Sequence, residues 1–254
     1  MPVVLIEKQS PQVGIVTLNR PERRIALSIE LLNELLAAIK VVSDEPHERI
    51  LILQGAGPAF CAGLDLKENA DPRKTQVTAE LVAKTLLTLS QTRLITIAVV
   101  HGAAVAGGAG IMSACDFVIA AEGTKIGYPE VRRGLVPGLV MTFLRRQLRD
   151  RDIRELALGS ELIDAHRAKE MGLVNRVVPQ DDLDKETQNL INSIMQGAPG
   201  ALAATKHFIE ELWSSSVKDD IDRALKYHIQ ARQSAEAREG IAAFNEKRPP
   251  KWAA

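Results

Sequence analysis

The chain carries little cysteine, no net charge and no long apolar run, and each shortage removes a class of protein. Of 254 residues only Cys61 and Cys115 are cysteines. They lack the paired spacing of a disulfide framework or a zinc site, so no metal is expected. Lysine plus arginine and aspartate plus glutamate balance at 32 each. A nucleic-acid binder normally gathers a basic excess on one face, so no nucleic-acid partner is expected. No apolar stretch reaches the ~18–20 residues of a membrane-spanning helix. The first residues, MPVVLIEKQSP, show no basic region followed by an apolar core, so a secretory signal is not expected either. These absences together predict a reduced, cytoplasmic protein without a membrane partner.

What is present is a 46% hydrophobic composition, enough to bury a proper core. Val3–Ile6 and Gly14–Leu18 are short β-branched runs that read as strands. From Ser28, a plausible N-cap, the period changes: Leu31, Leu32, Leu35, Leu36 and Ile39 share one helical face. Ile50–Leu53, Ile95–Val100 and Phe117–Ala120 read as buried strands, with an amphipathic helix over Val77–Thr92 between the first two. This alternation predicts an α/β architecture with mostly parallel pairing. Farther on, Leu144–Leu158 and Asp164–Met171 read as helices and Val174–Val178 as a short strand. Everything beyond Pro179 is compatible with helix, including an apolar stripe of Val217, Ile221, Ala224, Leu225, His228 and Ile229. The expected organisation is a core over residues 1–195 and a helical region over 196–254.

Three segments carry possible chemistry. The first, Ala59-Phe60-Cys61-Ala62-Gly63-Leu64-Asp65-Leu66, follows a strand and a Gly/Pro turn. Its small residues let a ligand approach the main chain, whose amides could face a developing oxyanion; a tight strand-to-helix turn would look the same. The second runs from Val100 to Gly110, with a helix expected to start near Gly107. Three glycines within four residues weaken an ordinary helix by up to ~1 kcal/mol each, which points to close backbone approach by a ligand or by a neighbouring helix. The third is Tyr128-Pro129-Glu130-Val131-Arg132-Arg133-Gly134-Leu135-Val136-Pro137-Gly138. Glu130 stands among proline and apolar residues, where a dry pocket would raise its pKa and suit it to proton transfer; a surface ion pair with Arg132 or Arg133 is the other explanation.

In order and spacing, these segments are similar to those of the enoyl-CoA hydratase/isomerase, or crotonase, family. Asn19-Arg20-Pro21-Glu22 near the start and Phe244-Asn245-Glu246-Lys247-Arg248-Pro249-Pro250-Lys251-Trp252 at the end extend the resemblance along the whole chain. The resemblance implies an α/β fold, a spiral of ββα units with a helical C-terminal region used in trimerisation, as a homotrimer or homohexamer. It implies an acyl-CoA substrate, of the kind met in fatty acid metabolism, with coenzyme A entering as part of the substrate and no permanently bound cofactor. The amides of Ala62 and Gly107 would form the oxyanion hole, and Glu130 would be the acid/base. Arg24, Ala26, Gly63, Leu64, Asp65, Pro129, Gly138 and Lys247 would line the acyl-CoA site.

The sequence departs from the family at Gly110, where the two-glutamate hydratases hold their other carboxylate. Members that move a double bond between the 3- and 2-positions work with one glutamate, so the sequence favours isomerase-type chemistry. Gly138 matches a glycine that helps hold the hydratase water and points the other way. A hydratase with an atypical second group therefore stays open, with Asp71, Glu80, Tyr128 and Glu122 as candidates for it. A non-catalytic acyl-CoA-binding scaffold is a third reading. Ile25 stands where asparagine is common. His101 reads as a structural or wall residue, Asp65 as a loop brace and Cys61 as a packing residue. Gly107–Gly110 does not fit G-x-G-x-x-G, no G-K-[ST] follows, and there is no G-x-S-x-G, which excludes the nucleotide-loop and nucleophile-elbow enzymes.

Overall fold

The computed structural model describes residues 2–68 and 71–253. Nine strands alternate with helices among them: β1 Val4–Ser10, β2 Val13–Leu18, β3 Ile50–Gly55, β4 Ile95–Val100, β5 Ala103–Val105, β6 Phe117–Ala121, β7 Lys125–Gly127, β8 Ile163–Asp164 and β9 Arg176–Val178. The main six-stranded sheet has the order β1-β2-β3-β4-β6-β9. Only the β1–β2 hairpin is antiparallel; the other pairs are parallel, with Ile15 beside Ile52 and Ile52 beside Ile97.

Strands β2, β3, β4 and β6 are nearly all apolar because both faces of the sheet are covered there. Val16, Leu18, Leu51, Leu53, Ala98, Val100, Val118 and Ala120 point into one core, shared with Leu31, Leu32, Leu35 and Ile39 of helix α1 (Ile29–Asp44). Their alternate neighbours Val13, Ile50, Ile52, Ile95, Ile97, Val99, Ile119 and Ala121 face the other way.

 They pack on Leu183, Leu190, Ile191 and Ile194 of a helix over Leu183–Met195. This two-sided burial is what the unbroken apolar runs in the sequence encode.

Helix α2 spans Pro72–Gln91 and begins before the expected Val77, because the Asp71 side chain caps it by accepting from the Arg73 amide and Pro72 fits the first turn. The remaining helices are α3 Gly107–Ser113, α4 Gly138–Gln147, α5 Asp150–Arg154, α6 Ala165–Met171, α7 Leu183–Met195, α8 Pro199–Glu211, α9 Val217–Arg232 and α10 Ala235–Asn245. The single helix expected over Leu144–Leu158 is instead divided. Leu148 and Arg149 are extended, α5 restarts at Asp150, and a π-turn follows over Glu155–Gly159. Buried Asp152 drives the restart, since its carboxylate is held by Arg149 at 2.7 Å and by Arg167 at 3.4 Å. The strand expected over Val174–Val178 is shortened to Arg176–Val178. The Asn175 side chain accepts from the Val118 amide at 2.7 Å and replaces one ladder bond.

Strands β5, β7 and β8 form a separate three-stranded sheet that sequence periodicity did not reveal. Each has two or three residues, too few to show a repeat. Helix α9 lies against α2 and α4, and α10 lies against a 3₁₀ turn over Pro129–Arg133. Gly134 and Gly240 permit that second contact: a Cβ on Gly240 would meet the Arg133 carbonyl oxygen at 2.4 Å. Among the described residues, no helix is long and apolar enough to cross a membrane.

Candidate active site

A cavity of about 570 Å³ opens between the 62–67 loop, the start of α3, the Pro129–Arg133 turn, and helices α4, α9 and α10. Its exposed end is basic, with Arg23, Arg24, Lys67 and Lys247, and its buried end is aliphatic, with Val82, Leu135, Leu139 and Val140. Ala26, Ala62, Leu64, Asp65, Gly107, Glu130 and Gly138 also line it. Gly63 and Pro129, expected at the site, stand behind its wall rather than in it.

The loop and the helix start are locked together through the backbone. Cys61 accepts from the Val105 amide at 3.0 Å and donates its own N–H to the Ala103 carbonyl at the same distance. Gly108 fits only because it lacks a side chain: a Cβ there would lie 2.3 Å from the Cys61 carbonyl oxygen. Gly63, at φ +91°, takes a conformation that side chains avoid, and a Cβ on it would lie 3.6 Å from the Gly107 nitrogen. Gly108 is thus explained by helix α3 pressing on the loop, whereas a Cβ on Gly107 would meet Leu27 at 3.2 Å and one on Gly110 would meet Val140 at 2.5 Å. This arrangement leaves the Gly107 N–H without a partner among the described residues. The Ala62 N–H differs: it donates to the Arg24 carbonyl at 3.0 Å. Arg24 and Ile25 are both left-handed, at φ 50° and 55°, a costly setting for a β-branched residue.

Glu130 sits at the start of the 3₁₀ turn, where Pro129 fixes the first residue and left-handed Gly134 ends it. It is 8% exposed, and its Oε2 has no hydrogen-bond partner among the described residues. Burial pushes its carboxyl up to about 7, against the opposing pull of its own backbone N–H and of Arg133. The surface ion pair is therefore not what this glutamate makes. Arg133 instead stacks over the Phe244 ring, 4.6 Å from its centre.

None of the residues considered as a replacement for a carboxylate at 110 lines the cavity. Asp71 caps α2, Glu80 accepts from Gln76, and Glu122 is exposed near His166. Tyr128 is buried against Ser113 at 2.8 Å. His101 lies against the Gly57 carbonyl at 2.8 Å, and Asp65 is paired with Arg20 at 3.1 Å. Burial raises the Cys61 thiol to about 12, so it is a poor nucleophile. Sequence reading passed over Val82, Leu139 and Val140 as lining residues, and took His228 only as one of an apolar stripe. As the only titratable member of that stripe, His228 was the available signal.

With this geometry in place, similarity to known proteins becomes informative. A family model described as Enoyl-CoA hydratase/isomerase matches residues 8–254. The chain belongs to the enoyl-CoA hydratase/isomerase family. It is 36% identical to a putative enoyl-CoA hydratase of Thermus thermophilus, over 98% of this chain and all of that one. It is 31% identical to the mevalonyl-coenzyme A hydratase sidH of Aspergillus fumigatus, covering 98% of this chain and 94% of the relative. Among solved structures, an enoyl-CoA hydratase from Mycobacterium avium superposes with a TM-score of 0.87 at 31% identity, over 98% of each chain. The fold is accordingly that of the enoyl-CoA hydratase/isomerase family, and the chain is an enzyme of that family processing acyl-CoA.

Proposed function

We propose that the cavity binds an acyl-CoA thioester and that Glu130 moves a proton at the carbon beside its carbonyl, through an enolate. The observation that carries this reading is a buried carboxylate held near neutral pH in the same cavity as the unpartnered Gly107 amide. A thioester α-proton is too weakly acidic for an unaided carboxylate. A backbone donor at the developing oxyanion is worth about 3–4 kcal/mol, which brings removal within reach. Gly107 supplies one donor. Ala62 supplies the second by sharing its N–H with the thioester oxygen or by losing the Arg24 carbonyl, a loss aided by the strain at Arg24 and Ile25. The basic end, with Arg24 and Lys247, receives the CoA phosphates. Coenzyme A arrives as part of the substrate, without a resident cofactor.

Of the possible reactions, a shift of the double bond from the 3- to the 2-position requires only Glu130, which removes a proton and returns it. Val140 fills the space in front of Gly110, so the site lacks a second carboxylate there and favours this isomerase-type shuttle. Hydration of a 2-enoyl thioester is the second reading, favoured by a polar side chain, His228, in the buried wall. Retention of Glu130 in a dry pocket argues against a purely non-catalytic scaffold.

Offering 3-enoyl-CoA and 2-enoyl-CoA separately, and following thioester absorbance, tests the assignment. Isomerisation should be seen and should disappear in Glu130→Gln while CoA-ester binding persists. Full activity in that variant would sink the reading. Assembly as a homotrimer or homohexamer belongs to the same proposal, supported by exposed Phe208, Ile209, Leu212 and Trp213. Light scattering of the intact protein tests it.

A further inference from the structure

We propose that His228 is a specificity-determining residue that accepts a hydrogen bond from an O–H group bound at the buried end of the cavity. That O–H is either a hydroxyl carried by the acyl chain or the water that becomes one. The inference rests on the acyl-CoA reading above but not on which reaction Glu130 performs.

Helix α9 delivers His228 on the same face as Val217, Ile221 and Ala224, one turn after Ala224. Gly138 allows the close approach: a Cβ there would lie 3.0 Å from the Ala224 carbonyl and 3.7 Å from the His228 Cβ. The imidazole is 8% exposed, and among its cavity neighbours Val82, Leu139 and Val140 have no polar side-chain atom. One ring nitrogen is engaged with the backbone of Val136. Burial and the neighbouring Arg232 cation hold the ring neutral down to about pH 4. A neutral imidazole has one donor and one acceptor. With its N–H turned to the Val136 backbone, the second nitrogen is left as the acceptor. An acceptor in an aliphatic wall discriminates strongly, because an all-carbon chain leaves it desolvated and unpaired. The chemistry it selects is therefore an oxygenated acyl group, or water placed beside the chain.

Titration of butanoyl-CoA and 3-hydroxybutanoyl-CoA, in the Glu130→Gln background so that neither turns over, reads the first source. The hydroxylated ester should bind about 5- to 10-fold more tightly, the equivalent of one hydrogen bond. His228→Phe should bring the ratio close to one, and His228→Gln, which keeps a donor and an acceptor, should restore part of it. The second source is read by hydration of 2-butenoyl-CoA on the otherwise unaltered enzyme. If the O–H is water, the binding ratio is flat, but hydration falls about tenfold in His228→Phe and recovers in His228→Gln. A flat ratio together with hydration that is absent, or indifferent to both variants, overturns the proposal. Failure of every CoA ester to bind would instead remove the acyl-CoA reading itself.

Discussion

Val140 stands where a side chain at position 110 would project: a Cβ on Gly110 would lie 2.5 Å from Val140 Cγ1. The missing carboxylate is therefore not a simple deletion, because a neighbouring helix has filled its space. Gly110→Glu alone is expected to overpack this contact and destabilise the protein by about 1–3 kcal/mol. Adding Val140→Gly should recover part of that loss, with a coupling above about 0.5 kcal/mol in a double-mutant cycle followed by urea unfolding. Strict additivity would show that the two positions do not compete for one space.

Glu130 also links stability to pH. Its carboxyl keeps a proton up to about 7 in the fold, against an ordinary 4.5. Between those values the folded state binds more protons than the unfolded state, so this group's contribution falls as pH rises through the window. Glu130→Gln removes that penalty. The variant should gain stability on wild type between pH 4.5 and pH 8, by up to about 3 kcal/mol. Denaturant melts at the two pH values measure the difference, and an unchanged gap would show that the carboxylate is not desolvated.

Gly108→Ala tests the contact between helix α3 and the loop. The new methyl would press on the Cys61 carbonyl, for which 2.3 Å is available. A loss of about 1–3 kcal/mol is expected. The loop must also shift relative to Gly107, so kcat should fall more than the folded fraction does. Thermal unfolding combined with activity per folded molecule separates the two effects. Wild-type kcat in the folded fraction would contradict this coupling.

Lys206 offers a comparison remote from the cavity. Its ammonium donates to Asp116 at 2.7 Å and to the Leu94 carbonyl at 2.9 Å, fixing α8 to the residues that lead into β4 and β6. Asp116 also accepts from the Thr96 amide at 2.7 Å. Lys206→Ala leaves this carboxylate partly buried without its cation and should cost about 2–3 kcal/mol, less than a fully buried pair because Asp116 retains some exposure. The kcat of the folded protein should stay unchanged. A large kcat loss would mean that α8 communicates with the site.

Much of the fold was legible because burial imposes period. The apolar runs at Ile50 and Ile95 are covered on both sides, and the stripe from Leu31 to Ile39 faces one core. Each pattern follows from local geometry and needs no knowledge of the partner. The division at Leu148 was not legible, because it depends on a buried Asp152 reaching Arg167, and sequence separation hides that pair.

The sequence by itself determined the alternation of strand and helix, the close backbone approach at Gly107–Gly110, and the presence of a lone glutamate among apolar neighbours at position 130. Only the tertiary structure decided that this glutamate is dry enough to titrate near 7, that Val140 occupies the space beside Gly110, and that the Ala62 amide is held by Arg24. Backbone conformation and periodicity are set by residues close in the chain. Desolvation, steric exclusion and hydrogen-bond competition are set by whichever distant segments the fold brings into contact.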